Sequence, residues 1–244
     1  MDIKLGPHER LDDLVLDGMK LIQRDDEFCF SVDTVLLAHF GDVPHGPALD
    51  LGTGTAAIPL ILTARGAKKI TAIELNPVMA DIARRNVALN QRQDRIQVKE
   101  GDYRQLKDWY PSGAFAAIYA NPPYREKKRG AYSEVTGIRR ARHEETATLE
   151  DVLTAVQYAL KYHGRFYMVH ITERLPEILT AMQMHAIEPK VLQCIHGRPD
   201  KKAKLFLVEG IRGGSPGLKV LPPLIVHEEN GDYSKAVLRL YGKM

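Results

Sequence analysis

Asn121-Pro122-Pro123-Tyr124 gathers one carboxamide, one free main-chain carbonyl and one aromatic ring within four residues. Two consecutive prolines fix the backbone and push Asn121 out of the helical region, so these groups stand on a rigid corner. Such a corner can hold the amino group of a flat acceptor. The same residues also read as a turn closed by Asn-Pro, and the tetrapeptide alone leaves both readings open.

A second constellation lies upstream. Asp50-Leu51-Gly52-Thr53-Gly54-Thr55-Ala56-Ala57 follows a short apolar run. Glycines at 52 and 54 suit a tight turn whose backbone approaches a ligand at the next helix's N-terminus. Glu74 comes 22 residues after Gly52 and ends the next apolar run, where a carboxylate can accept from ribose hydroxyls. Gly52-x-Gly54-x-x-Ala57 with Glu74 therefore points to an adenosine-containing cofactor, and it also satisfies the NAD pattern. Two further acids narrow the choice. Asp50, just before the glycines, is placed to hold an ammonium group, and Asp102, after the third strand, to accept from an adenine amino group. Each also reads as an ordinary acid, Asp50 at a strand end and Asp102 as a helix N-cap. Acids ending three successive strands fit S-adenosylmethionine better than a dinucleotide, because that ligand has an ammonium, a ribose and an adenine but no pyrophosphate.

The elements that must position these groups alternate. The pattern predicts strands at 48–51, 69–74, 96–98, 115–120 and 165–170, with helices at 55–65, 77–90, 149–162 and 176–185 between or after them. A final strand pair spans 191–195 and 205–209. Alternation at this spacing means right-handed crossovers and an α/β fold with a doubly wound, mostly parallel sheet of Rossmann type. In such a sheet the first and fourth strands are neighbours at the switch point, which brings Asn121 beside the glycine loop. Asn121 is accordingly counted with the cofactor contacts as well as the acceptor-holding residues. Ahead of this core, Asp17-Gly18 between 14–16 and 20–22 marks a hairpin, and Ser31 is placed to cap a helix over 32–40. Behind it, residues 224–241 read as a short strand, an Asn230-Gly231 turn and a helix. The expected organisation is a single domain: a preface over 1–46, a core over 47–211 and an extension over 212–244.

Composition bounds the rest. With 244 residues, 44% hydrophobic and 27% charged, the chain is long enough for a real core and ordinary for a soluble, cytoplasmic protein. No apolar run approaches a membrane span, and the N-terminus lacks a signal-peptide core. Cys29 and Cys194 have no spacing that indicates a disulfide or a zinc site, and no metal is called for. Charge is the uneven feature. Arg125, Lys127, Lys128, Arg129, Arg139, Arg140 and Arg142 stand against only Glu126 and Glu134, a local +5 in a chain of net +3. A basic run directly after the Pro-Pro corner suggests a polyanionic partner. For any single lysine, a solvated surface remains the plainer reading. Lys201, Lys202 and Lys204 form a weaker second patch.

These stretches carry a resemblance. Phe30-Ser31-Val32-Asp33-Thr34-Val35-Leu36-Leu37-Ala38, Asp50 to Thr55, Ile73-Glu74-Leu75-Asn76-Pro77 and Asn121 to Tyr124 resemble the class I S-adenosylmethionine-dependent methyltransferases that act on amino groups. With Ala141-Arg142-His143-Glu144 and Pro222-Pro223-Leu224-Ile225-Val226, the chain more narrowly resembles the bacterial family that N6-methylates adenine 37 of valine tRNA. The resemblance implies a seven-stranded methyltransferase sheet and a tRNA partner. It also implies a Phe30–Leu37 stretch closing over the cofactor, with Asp33 a candidate contact. On that reading the Asn121 side-chain oxygen and the Pro122 carbonyl hold both protons of the adenine amino group. Tyr124 stacks on the base once it has left its own stack.

Other acceptors are weighed on the same residues. C5 pyrimidine methylation normally needs a cysteine near the corner, and neither cysteine lies there in sequence. Release-factor glutamine methyltransferases share the tetrapeptide but carry a longer N-terminal helical domain, whereas about 46 residues precede the first core strand here. A non-catalytic RNA-binding protein of the same fold is a further alternative, and an NAD oxidoreductase leaves the Pro-Pro-Tyr corner without a role.

Overall fold

The computed structural model describes residues 4–14, 16–27, 29–124 and 147–243. The chain begins with an antiparallel hairpin, β1 (Glu9–Asp13) and β2 (Lys20–Arg24). Its turn passes through Asp17 and Gly18, both at positive φ, 53° and 66°. The first strand lies earlier than the expected 14–16: Asp13 pairs with Lys20, and Leu14 N–H closes the last rung on the Met19 carbonyl. Helix α1 (Val32–His39) follows. Ser31 occupies the capping position without capping. Its hydroxyl donates to the Asp33 carboxylate, and Asp33 itself accepts the Thr34 N–H at 3.0 Å.

The core then runs β3 (Ala48–Leu51), α2 (Ala57–Ala64), β4 (Ile70–Glu74), α3 (Pro77–Leu89), β5 (Ile96–Glu100), a 3-10 turn at Tyr103–Asp108 and β6 (Phe115–Ala120). From residue 147 on come α4 (Leu149–Ala159), β7 (Leu160–Ile171), α5 (Leu175–Met184), β8 (Ile187–His196) and β9 (Ala203–Arg212). The extension holds β10 (Lys219–Val220), β11 (Leu224–Ile225) and α6 (Lys235–Leu240). Seven long strands stand in the order β8-β9-β7-β6-β3-β4-β5. All are parallel except β9, which runs against both neighbours. β10 and β11, two residues each, pair with β8, and β10 was not legible in the sequence.

β7, β8 and β9 run longer than the pattern predicts, at Leu160–Ile171, Ile187–His196 and Ala203–Arg212, and two helix boundaries differ for identifiable reasons. Ala56 sits in the left-handed region, φ 63°, so α2 starts at Ala57 rather than at 55. α4 stops at Ala159, three residues short of the expected end. Leu160 is extended (φ −76°, ψ 131°) and already pairs with Phe115. Leu160 is fully buried in the layer that also holds Val152, Leu153 and Val156. A buried leucine in helical phase looks the same whether it ends a helix or opens a strand.

Successive strand residues face opposite layers. Ala117, Tyr119 and Tyr167 pack with residues of α1, α2 and α3, while Ile118, Ala120, Phe166 and Met168 pack with residues of α4 and α5. Both faces are covered, so the strands read as unbroken apolar runs. Helix α3 fastens the hairpin to this core. Buried Asn86 accepts from Ile22 N–H at 2.6 Å and donates to the carbonyls of Ile22 (3.0 Å) and Thr55 (2.9 Å). Asn90 pairs in the same manner with the Lys20 backbone, and Arg85 and Arg92 form ion pairs with Glu9 and Asp17. Among the described residues, no helix is long and apolar enough to cross a membrane.

Candidate active site

Strand register sets the site. Leu51 lies opposite Ala120 on one side and Ile73 on the other, so Gly52, Asn121 and Glu74 leave three adjacent strands at one level. This is the carboxyl end of the sheet at its switch point, where an open α/β sheet presents a crevice.

The glycine loop is built for close approach. Gly52 and Gly54 have φ of 70° and 56°, and a Cβ at either position would meet nothing within 4 Å. Glycine is required there by backbone conformation, and the space beyond is open to a ligand. Glu74 ties the loop down: one carboxylate oxygen accepts Gly54 N–H at 2.8 Å and the other Asn76 N–H at 2.9 Å. Burial raises the Glu74 pKa, and these two N–H groups work against it. Each oxygen retains a lone pair for a hydroxyl donor.

Asp50 is 1% exposed. Its Oδ2 accepts the Thr53 hydroxyl at 2.6 Å, while its buried Oδ1 has no partner. Burial first, and the nearby Glu74 charge second, push its pKa up to about 7, against the opposing Thr53 bond. A buried carboxylate oxygen lacking a donor is costly, and a ligand ammonium is the kind of group that satisfies it. The orphaned oxygen and the open glycine loop fit S-adenosylmethionine. Asp102 is the N-cap of the 3-10 turn. It accepts Arg104 N–H at 2.9 Å and the Arg104 guanidinium at 2.8 Å. Burial works to raise its carboxyl, but the Arg104 bonds outweigh this and hold it below its ordinary value. In this structure Asp102 has the local role that its sequence position also allowed.

The acceptor corner is held by helix α1, through contacts that sequence reading did not find. Asn121 Nδ2 donates to Thr34 Oγ1 at 3.2 Å, and Asn121 Oδ1 accepts from the Tyr124 hydroxyl, also at 3.2 Å. The single Tyr124 hydroxyl proton lies between Asn121 Oδ1 and the closer, charged Asp33 carboxylate, so Asp33 gathers Ser31, Thr34 N–H and Tyr124 around one carboxylate. Asp33 thus meets the acceptor corner. Burial and the adjoining Asp33 charge push the Tyr124 hydroxyl far above its ordinary pKa, so it stays protonated and donates. Tyr124 packs edge-on against His170, ring centroids 5.4 Å apart. His170 is 1% exposed, and its Nδ1 accepts Ile171 N–H. Burial, then the Arg174 charge, push it down to about 4, so the ring is neutral. Among the described residues nothing donates to the Pro122 carbonyl, and Pro123 is exposed. Thr34 lies within the Phe30–Ala38 stretch, but nothing in that stretch pointed to Asn121, and His170 carries no motif signal; only the fold brings the two to this corner. Arg125, Lys127, Lys128, Arg129, Arg139, Arg140 and Arg142 lie outside the described residues, as does the Ala141–Glu144 stretch.

A groove of about 410 Å³ lies elsewhere, lined by Gln193, Pro222, Leu224 and Lys235 where the extension runs along β8. None of the groups above reaches it, so the convergence of polar groups locates the site better than concavity does.

Comparison with known proteins agrees with this geometry. A family model described as a methyltransferase domain matches residues 48–138. A tRNA1(Val) (adenine(37)-N6)-methyltransferase from Porphyromonas gingivalis is 31% identical over 85% of this chain and 85% of its own length. The enzyme of that name from Bacteroides thetaiotaomicron is 33% identical over 86% of this chain and 88% of its own. A crystal structure described as a predicted O-methyltransferase from Agrobacterium tumefaciens superposes with a TM-score of 0.68 at 23% identity, covering 86% of this chain and 95% of that one. That likeness concerns the fold. By its sequence relatives, the chain belongs to the tRNA1(Val) (adenine(37)-N6)-methyltransferase family of S-adenosylmethionine-dependent enzymes.

Proposed function

We propose that this protein transfers a methyl group from S-adenosylmethionine to the exocyclic N6 of an adenine in tRNA, adenine 37 of valine tRNA being the target its relatives name. The observation that carries the reading is the placement of Asn121 level with the Gly52 loop on the adjacent strand, its amide held by Thr34. Bound at Asp50, the glycine loop and Glu74, S-adenosylmethionine supplies an electrophilic methyl on a sulfonium and leaves as S-adenosylhomocysteine.

The chain's own work is orientation. The N6 lone pair of adenine is delocalised into the ring, which makes it a weak nucleophile. With Nδ2 committed to Thr34, Asn121 keeps Oδ1 as one acceptor for the amino protons, and the Pro122 carbonyl offers a second. Holding both protons directs the lone pair toward the methyl, and positioning of this kind contributes several kcal/mol to a transfer barrier, up to roughly 7–11. The proton displaced from N6 leaves through these oxygens to solvent. His170 stays neutral and buried, so it is a wall for Tyr124 rather than a base. For Oδ1 to reach a substrate it must exchange the Tyr124 hydroxyl, and Asp33 is there to keep that hydroxyl. The basic residues Arg139, Arg140 and Arg142, with Arg125, Lys127, Lys128 and Arg129, are assigned to RNA phosphates on their charge alone.

Mass spectrometry of nucleosides in tRNA from cells with and without the gene tests the reading. Loss of N6-methyladenosine from one tRNA is expected; unchanged tRNA together with loss of methylglutamine from a release factor would replace it with the protein acceptor. In vitro, Asn121→Ala should bind S-adenosylhomocysteine normally while turnover collapses by a hundredfold or more, on the order of an unanchored acceptor.

A further inference from the structure

The turn joining β8 and β9, residues 197–202, carries Arg198, Lys201 and Lys202, and Lys204 follows it as the second residue of β9; the single acid among them is Asp200. All four basic side chains are exposed, and Lys202 and Lys204 make no ion pair with any described residue. Lys201 meets Asp200 at 2.7 Å, both largely exposed, a pairing weak enough to be traded for another anion. No large apolar side chain stands in the turn, so a hydrophobic protein partner has nothing there to bury. The turn is nonetheless shaped. Lys201 N–H returns to the Arg198 carbonyl at 3.1 Å, His196 Nδ1 meets the Lys201 carbonyl at 2.7 Å, and Pro199 fixes one φ between them.

Its place follows from register. β8 runs parallel to β7, and β7 to β6, so the end of β8 at His196 faces the same way as the end of β6 at Ala120. At the start of β9, Leu205 lies opposite Ile171, next to His170, whose ring touches Tyr124. The turn therefore projects from the carboxyl end of the sheet, two to three strands from Asn121, a lateral distance of roughly 10–14 Å at the usual strand spacing. That is within the width of one nucleic-acid helix. On the outer side of β8, β11 pairs with it and His227 N–H meets the Gly197 carbonyl, and the exposed acids Glu228, Glu229 and Asp232 follow there, so a polyanion is favoured on the side of the turn nearer Asn121.

The geometry points to the β8–β9 turn as a phosphate-binding surface that grips the helical stem of the RNA whose base is presented at Asn121. This rests on the RNA-methylating reading above and adds to it a surface apart from the basic run that follows Tyr124. Each lysine that meets a phosphate releases a counterion, so the signature is the salt dependence of binding rather than affinity at one salt concentration.

The test is tRNA binding by fluorescence anisotropy across a sodium chloride series. Three proteins are compared: wild type, Lys201→Gln/Lys202→Gln/Lys204→Gln, and a control with the same charge change at the opposite end of the sheet, Lys68→Gln/Lys69→Gln/Lys161→Gln. All six lysines are exposed, so melting temperatures should stay level. The turn variant should bind about tenfold or more weakly near 0.1 M salt, and its log–log salt slope should be shallower by about 2–3. The control should keep the wild-type slope, and the turn variant should show a raised KM for tRNA at unchanged kcat. A turn variant with the wild-type slope overturns the proposal. So does a control that falls as far as the turn variant, because net charge alone would then account for the loss. Wild-type protein that binds no tRNA would instead remove the RNA-methylating reading itself.

Discussion

Asn121 Nδ2 donates to the Thr34 hydroxyl at 3.2 Å, joining residues 87 apart in the chain. A carboxamide has two ends of nearly equal shape and opposite polarity, and only one can accept protons from an amino group. By taking the N–H end, Thr34 leaves the oxygen for the substrate. Thr34→Val keeps the volume and removes the acceptor, so kcat should fall about tenfold, or ~1.4 kcal/mol of barrier, with S-adenosylhomocysteine affinity and melting temperature near wild type. Thr34→Ser should restore most of the rate. If Val and Ser variants turn over alike, the hydroxyl does not orient the amide.

Asp33 acts on the same corner from the other side. Its carboxylate accepts the Tyr124 hydroxyl, which also reaches Asn121 Oδ1. Asp33→Asn weakens that acceptor and leaves the tyrosine more firmly on Asn121, where it competes with substrate. The expected result is a kcat reduced several-fold, recovered in part by adding Tyr124→Phe, which removes the competing hydroxyl while keeping the ring. Strictly additive losses in the double variant would show that the two side chains act independently.

How much of this could be read in advance depends on the range of each interaction. Strand order, the switch point and the level placement of Gly52, Glu74 and Asn121 follow from local periodicity and the handedness of crossovers, and these were legible. Thr34 was not, because nothing about a threonine at the third residue of α1 says which loop 87 residues on it will meet. Asp102 shows the converse. An acid after a strand suits either a ligand or a cap, and only the Arg104 bonds reveal the cap. β10, two residues of edge pairing on β8, has too few side chains to leave a pattern.

The buried carboxylate of Asp50 gives cofactor binding a pH dependence. With a folded pKa near 7, raised from 3.8 mainly by burial, Asp50 takes up a proton as the pH falls below neutrality and loses its attraction for an ammonium. Affinity for S-adenosylhomocysteine should therefore drop between pH 8 and pH 6, approaching tenfold per pH unit at the acid end. In the unligated fold the sign is opposite. A carboxyl whose folded pKa exceeds its unfolded value destabilises the fold in full above about pH 7, and this penalty fades as the pH falls toward 4. The thermal shift produced by S-adenosylhomocysteine should thus be larger at pH 8 than at pH 6, and Asp50→Asn should flatten the difference. Equal shifts at both pH values would place the ammonium elsewhere.

Asn86 links the two halves of the site's scaffold. From the interior of α3 it satisfies both backbone groups of Ile22 in β2 and the Thr55 carbonyl behind the glycine loop, with no exposure to solvent. Asparagine is a poor helix residue, so its presence mid-helix reflects these bonds. Asn86→Ala strands two carbonyls and one N–H where water cannot reach them, which should cost about 2–4 kcal/mol in chemical denaturation. Asn90→Ala removes a similar pairing with Lys20 at the protein surface, where water substitutes, and should cost about 1 kcal/mol or less. Because the Thr55 bond steadies the glycine loop, Asn86→Ala should also weaken S-adenosylhomocysteine binding, whereas Asn90→Ala should leave it unchanged. Equal costs for the two asparagines would mean that the hairpin is held by its salt bridges and packing instead.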